Sequence, residues 1–160
     1  MIGLTLPVDV LKSASVAYIH YLSFMICFGA LVFERVSIKT SPNKKEAVSM
    51  VVADIIYGIA GIALLVSGIY RVIKFGQGSA FYTQNPIFWF KITIFALVGT
   101  LSLYPTVTYV LWAIPLSKGK LPEVTYDLVA RLKLILNFEL IGFTLIPLFA
   151  TLMARGIGLN

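Results

Sequence analysis

Apolar residues run almost without interruption through four stretches of the chain, about 15–34, 47–73, 87–113 and 132–154, with polar residues concentrated between them. A hydrocarbon core of about 30 Å takes roughly 20 apolar residues as helix, so each stretch is long enough to cross a membrane. The connections RVSIKTSPNKKE, KFGQGSAFYTQNP and PLSKGKLPEV are short and carry prolines or glycines. Short connections join neighbouring helices, which predicts an antiparallel four-transmembrane-helix bundle: an all-α integral membrane protein with residues 1–160 as a single domain. Pro86 restarts the third helix at a first-turn position that tolerates its missing N–H.

Finer patterning ranks the faces. In ADIIYGIAGIALLVSGIYRV, Asp54, Gly58, Gly61, Leu65 and Gly68 recur at three- and four-residue spacing. Such a stripe of small residues lets another helix approach closely, so Gly58, Gly61 and Gly68 are expected to form the helix-packing seam. Pro105 and Pro147 each remove one backbone hydrogen bond and predict kinks in the third and fourth helices. Trp89, Trp112, Tyr18, Tyr21 and Tyr82 fall near predicted boundaries, where interfacial aromatics collect. Segment 74–87, with its glycines and aromatics, is expected to form an ordered interfacial cap.

Composition removes the soluble alternative. The chain is 59% hydrophobic and 12% charged, whereas soluble domains are about 45–50% apolar and about 25% charged. Its net charge of +6 points to lipid headgroups beside basic loops and not to nucleic acid. A single cysteine excludes an intrachain disulfide and a multi-cysteine metal site, and no metal site is expected. The segment MIGLTLPVDVLKSAS lacks a basic leader and a small-residue cleavage site, so it is expected to be retained. Eight basic residues (Arg35, Lys39, Lys44, Lys45, Lys118, Lys120, Arg131, Lys133) lie on the side of the first and third connections, against five (Lys12, Arg71, Lys74, Lys91, Arg155) on the other. The excess places both termini on the non-cytoplasmic side.

The ionisable residues inside the spans sort into two layers. His20, Arg71 and Lys91 share the outer level, while Glu34, Asp54 and Glu139, with Asn137, share the inner one. Charges at the middle of a membrane helix cost about 2.5–3.5 kcal/mol on insertion scales and tend to face the bundle interior. Lys91 and Arg71 are near enough to a boundary to snorkel. Asp54 and Glu139 are too short for that. They either pair with Arg35, Arg131 or Lys133 in a structural ion cluster, or share protons in a functional one. His20 is either a hydrogen-bonded interior residue or a ligand: a neutral imidazole could hold haem iron while Lys91 and Arg71 meet the propionates.

The His20 helix ending in FGALVFER, then ADIIYGIAGIALLVSGIYRV, then KFGQGSAFYTQNPIFWFKITIFALVGTLSLYPT, together resemble an uncharacterised family of bacterial, often cyanobacterial, four-helix membrane proteins, a domain-of-unknown-function group. The resemblance spans most of residues 15 to 112 and implies a bacterial plasma membrane or thylakoid location. More distantly the chain is similar to HemJ-type protoporphyrinogen oxidases and CopD-like copper-resistance proteins. In the HemJ type, a first-helix histidine precedes an apolar run ending in a basic residue, matched in kind by His20 and Arg35. The third helix there opens Trp-Leu-His-Val-Lys; here it reads Phe88-Trp89-Phe90-Lys91, which keeps the lysine and puts Trp89 in place of the histidine. That similarity implies an amphiphilic planar ligand, haem b or another tetrapyrrole, or a quinone.

Three functions follow as expectations. Without a nucleophile, metal-cluster or nucleotide motif, the first is a non-enzymatic accessory or assembly component of a larger membrane complex, or a homo-oligomer. The second is a redox-type protein with a ligand near His20, Arg71 and Lys91. The third is a proton-coupled transporter using Asp54 and Glu139.

Overall fold

The computed structural model describes residues 7–158 except Gln77. Helix α1 spans Val8–Ser37 and α2 Lys44–Tyr70, continuing through a wider π turn at Arg71–Phe75. A short helix α3, Ser79–Thr83, precedes the third span, which is divided into α4, Pro86–Leu101, and α5, Leu103–Ser117. Helix α6 spans Tyr126–Ala154. Among the described residues four helical segments are long and apolar enough to cross a membrane, the third being α4 and α5 together, and many of their large side chains, such as Ile62, Phe90, Leu111 and Ile141, are exposed. An exposed apolar belt of that extent is stable in lipid and would not be in water.

Local chemistry sets the helix starts. Asn43 accepts a hydrogen bond from the Glu46 N–H (2.9 Å) while the Glu46 carboxylate accepts from the Asn43 N–H (2.8 Å), a reciprocal cap that begins α2. Thr125 accepts from the Leu128 N–H at the start of α6. At α4 the fully buried Asn85 accepts from the Ile87 N–H (2.9 Å) and donates to the Ile157 carbonyl (3.2 Å), so one side chain both starts the third span and ties down the turn after α6. Pro86 takes its first-turn place as expected.

The break in the third span follows from Pro105. Its ring has no N–H and crowds the carbonyl four residues back, that of Leu101, which is the last residue of α4. The two halves then go separate ways. Helix α4 packs on α6, whereas α5 packs on α2, and α2 and α4 make no close backbone contact among the described residues. Pro147, by contrast, is accommodated within an unbroken α6, as Pro115 is within α5. Pro115 therefore belongs to the last turn of the span and not to the connection.

Two packing layers result. One joins Cys27, Leu31, Tyr57, Ala60, Leu64, Val98, Leu136 and Phe143; the other joins Ile38, Met50, Tyr109, Trp112, Leu116, Val129 and Leu132. Trp112 differs from the interfacial role expected of it: it is 4% exposed, with its ring edge-on to Tyr109 at 5.2 Å. The seam of α2 is also displaced from its glycines. The buried stripe is Ala53, Asp54, Tyr57, Ala60, Leu64 and Ser67. Gly58 lies on the exposed side, Gly61 has no atom within 4 Å of where a Cβ would stand, and Gly68 alone of the three meets a neighbour, His20. Small residues permitted that stripe, but alanine and serine on the adjacent positions allow close approach too, and the buried polar residues decided which face turned inward.

Candidate functional site

The kink opens a gap between α2 and α4, and the gap is a cavity of about 320 Å³. Its wall is apolar (Leu64, Ile69, Val72, Phe88, Ile92 and Phe95 among others), and its polar members are His20 from α1 and Lys91 from α4. Ile69 and Ile73, on its rim, are largely exposed, so the opening faces lipid. Straightening the span should close it: in Pro105→Ala, spin labels on α2 and α4 are expected to give a shorter interhelical distance than in the parent protein. An unchanged distance would dissociate the gap from the proline.

The hydrogen bonds of His20 define its tautomer. Nδ1 lies 3.1 Å from the Leu64 carbonyl and 3.0 Å from Ser67 Oγ. The carbonyl can only accept, and the Ser67 hydroxyl is directed to the Ala63 carbonyl at 2.6 Å. A neutral His20 therefore carries its proton on Nδ1 and leaves the lone pair on Nε2, which has no partner among the described residues. Gly68 makes this seat: a Cβ there would stand 3.1 Å from His20 Cε1. Lys91 reaches the same cavity with its Nζ 5.4 Å from the centre of the Phe88 ring, a cation–π distance.

Arg71 stands apart from that cavity. The π turn carries it toward Tyr21, to whose hydroxyl it donates (3.3 Å) and over whose ring it lies at 5.0 Å. It lines a second cavity of about 290 Å³, with Phe81, Tyr82 and Met153. His20, Gly68 and Val72 line both cavities and so form their shared wall. The expected trio is thus split: His20 meets Lys91 on one side and Arg71 on the other. Phe81 and Tyr82 of α3 line the second cavity, and the Tyr82 ring lies against Gly76 so closely that a Cβ there would force it to shift.

The inner layer is assembled as a group. Glu34 from α1, Asp54 from α2 and Glu139 from α6 are 1%, 5% and 0% exposed and lie within electrostatic range of one another. Asp54 accepts from Thr106 Oγ1 at 2.7 Å. Ion pairing with Arg35, Arg131 or Lys133 does not occur. Arg35 donates instead to Asn137 Oδ1 at 2.6 Å on the outer face of the bundle, Arg131 is exposed, and the salt bridge formed among the described residues is Lys39–Glu46. Successive helix positions about 100° apart explain this: Glu34 and Glu139 point inward, so Arg35 and Asn137 cannot. Two tyrosines escaped the sequence reading. Tyr57, one turn after Asp54 on the same face, has its hydroxyl near Ser102 and Glu139, and Tyr109 lies within electrostatic range of all three carboxyls. Their helical spacing from Asp54 and Thr106 was the available signal.

Between the layers the apolar cluster of Cys27, Leu31, Leu64 and Phe143 forms a plug. His20 and Glu34 are fourteen residues apart on α1, about 21 Å along its axis.

A family model described as a predicted membrane protein (DUF2214) matches residues 12–158. No curated protein and no solved structure matches the chain.

Proposed function

Proceeding from the fact that the chain belongs to this DUF2214 family of predicted membrane proteins, we propose that it binds a lipid-borne amphiphile with a single-ring quinone or quinol head between His20 and Lys91. The observation that carries this is the pairing of an unpartnered imidazole nitrogen with an ammonium group in an otherwise apolar cavity that opens to lipid. A quinol O–H can donate to Nε2 while the Lys91 ammonium donates to the other ring oxygen. The apolar wall holds the ring, and the exposed rim lets an isoprenoid tail remain in the bilayer. At about 320 Å³ the cavity is at the lower end of the range for small-ligand sites, about 300–1,000 Å³. That is room for one ring; a tetrapyrrole would have to extend across the wall formed by His20 and Gly68.

The test is photoaffinity labelling and equilibrium binding of a short-chain quinone to the full chain in lipid nanodiscs. Saturable binding weakened about tenfold in His20→Ala and in Lys91→Met, corresponding to about 1.4 kcal/mol for each lost hydrogen bond, is the expected result. Equal affinity in all three proteins, or no saturable binding to the parent, would sink the proposal.

Haem b is the second candidate for this cavity, favoured by one specific feature: metal-bound histidines commonly donate their other ring N–H to a backbone carbonyl, as Nδ1 does to Leu64. A Soret band in protein purified from native membranes, reduced by His20→Ala, would move haem ahead of a quinone. The accessory-subunit or homo-oligomer role draws its support from a groove between α1 and α2 where Ala30, Ser49 and Ala53 permit close helix approach. Both termini on the non-cytoplasmic side of a bacterial plasma membrane or thylakoid is the orientation favoured by the eight-to-five distribution of basic residues.

A further inference from the structure

The buried acidic layer is separate from the His20 cavity and is not used by it. Acidic clusters in proteins usually hold a cation, yet this one is built for something smaller. No group of three or more His, Cys, Asp or Glu side chains among the described residues is placed to hold a metal ion. Basic side chains near this end of the bundle form no ion pair with the three carboxyls. Neither the two cavities nor the α1–α2 groove described above is lined by Glu34, Asp54 or Glu139.

The unpartnered atoms point to the occupant. Both carboxyl oxygens of Glu139 and Oε1 of Glu34 are buried without a hydrogen bond, Tyr57 facing Glu139 without closing one of good geometry. Tyr109 supplies an independent observation: its side chain is 0% exposed, its hydroxyl is also unpartnered among the described residues, and it lies within electrostatic range of all three carboxyls. A buried acceptor left without a donor costs about 1–3 kcal/mol, and more if charged. Three facing carboxyls, a donor-capable phenol and no cation form an arrangement that one kind of ligand completes without needing space. That ligand is the proton.

We propose that Glu34, Asp54 and Glu139, with Tyr57 and Tyr109, form a proton-binding site inside the membrane. Each uptake converts one carboxylate to a carboxylic acid, whose O–H then donates to a neighbouring carboxyl oxygen; release reverses the step, and no redox partner is involved. The groups facing the site are Glu34 from α1, Asp54 and Tyr57 from α2, Ser102, Thr106 and Tyr109 from the third span, and Glu139 from α6. The Cys27 thiol, donating weakly to the Tyr57 carbonyl at 3.7 Å, belongs to the plug beneath. Arg35 and Asn137, hydrogen-bonded to each other and neighbours in sequence of Glu34 and Glu139, stay on the outer face of the bundle and leave the three carboxyls without a counter-ion among the described residues. The apolar plug closes the route toward His20. A second apolar layer, Ile38, Met50, Trp112, Leu116, Val129 and Leu132, lies between the carboxyls and the connections, so the site is enclosed on both sides.

Infrared difference spectroscopy of the full chain in nanodiscs tests this, because a carboxylic acid C=O absorbs apart from a carboxylate and shifts in deuterated water. A carboxylic acid band that changes with bulk pH, exchanges its proton for deuterium, loses part of its intensity in Glu34→Gln, Asp54→Asn or Glu139→Gln, and shifts in Tyr109→Phe is the expected result. Asp9, Glu46, Glu123 and Asp127, which lie outside the cluster, serve as controls through their own amide variants. The proposal is overturned if the folded parent protein shows no carboxylic acid band from mildly acid to mildly alkaline pH, or if the band neither titrates nor exchanges. It is equally overturned if every cluster variant leaves the band intact. Because the parent spectrum alone can refute it, misfolding of a variant does not rescue the idea.

Discussion

Gly142→Leu is expected to destabilise the bundle by about 3 kcal/mol, the upper part of the range for overpacking a filled core. A Cβ at this position on α6 would run into Val98 Cγ2 on α4, with Ile94 Cγ2 just behind at 3.5 Å. Neither residue yields readily, because a β-branched side chain in a helix has one strongly preferred rotamer. The strain can be relieved only by moving α4 off α6. Helix α4 also carries Phe88, Lys91 and Phe95 into the cavity, so weakened quinone binding is expected alongside the lost stability. Unfolding in a mixed-micelle denaturant titration measures the first effect. Gly142→Leu combined with Val98→Ala supplies the control: a direct clash predicts that the second substitution recovers much of the loss, whereas two additive losses would show that the seam is not where the structure puts it.

Trp112→Ala should cost about as much, roughly 3–5 kcal/mol, by the opposite route. The indole is 4% exposed and fills the space among Ile38, Met50, Leu116, Val129 and Leu132 while standing edge-on to Tyr109. In a bilayer the lost term is packing more than hydrophobic transfer, since lipid is as apolar as the core. The hole forms beside the Tyr109 ring, which lies within electrostatic range of the three carboxyls. Trp112→Ala should therefore shift the carboxylic acid infrared band as Tyr109→Phe does, while Trp112→Phe retains most of the stability. A stability close to that of the parent in the same titration would return Trp112 to the interfacial role that its sequence position suggests.

How far the site could be read in advance depended on the kind of residue. His20, Lys91, Glu34, Asp54 and Glu139 stand out in any apolar span, because each is costly there and so carries information by itself. Their depths could be compared by counting residues along helices. Pairing was another matter. Arg35 is adjacent to Glu34 in sequence and looked like its counter-ion, yet it reaches Asn137 on the outside of the bundle. Which way Arg71 points depends on the π turn, which shifts the register by a fraction of a turn at the point where the span ends. Tyr57 and Tyr109 were hidden by their abundance as ordinary membrane aromatics.

The apolar period and the short polar connections determined by themselves that this chain crosses the membrane four times as helix, since no other backbone arrangement satisfies its N–H and C=O groups in lipid without a closed barrel. They also determined two polar levels, because depth along a helix follows directly from residue count. The tertiary structure decided the azimuth: which face of each helix turns inward, and therefore which charges meet. That choice depends on the sum of many packing contacts around the bundle, such as Val98 against Gly142 and His20 against Gly68, and no single helix contains it. The cavity has the same origin. Pro105 announces a kink, but only the opposed leanings of α4 toward α6 and α5 toward α2 turn that kink into a space bordered by His20 and Lys91.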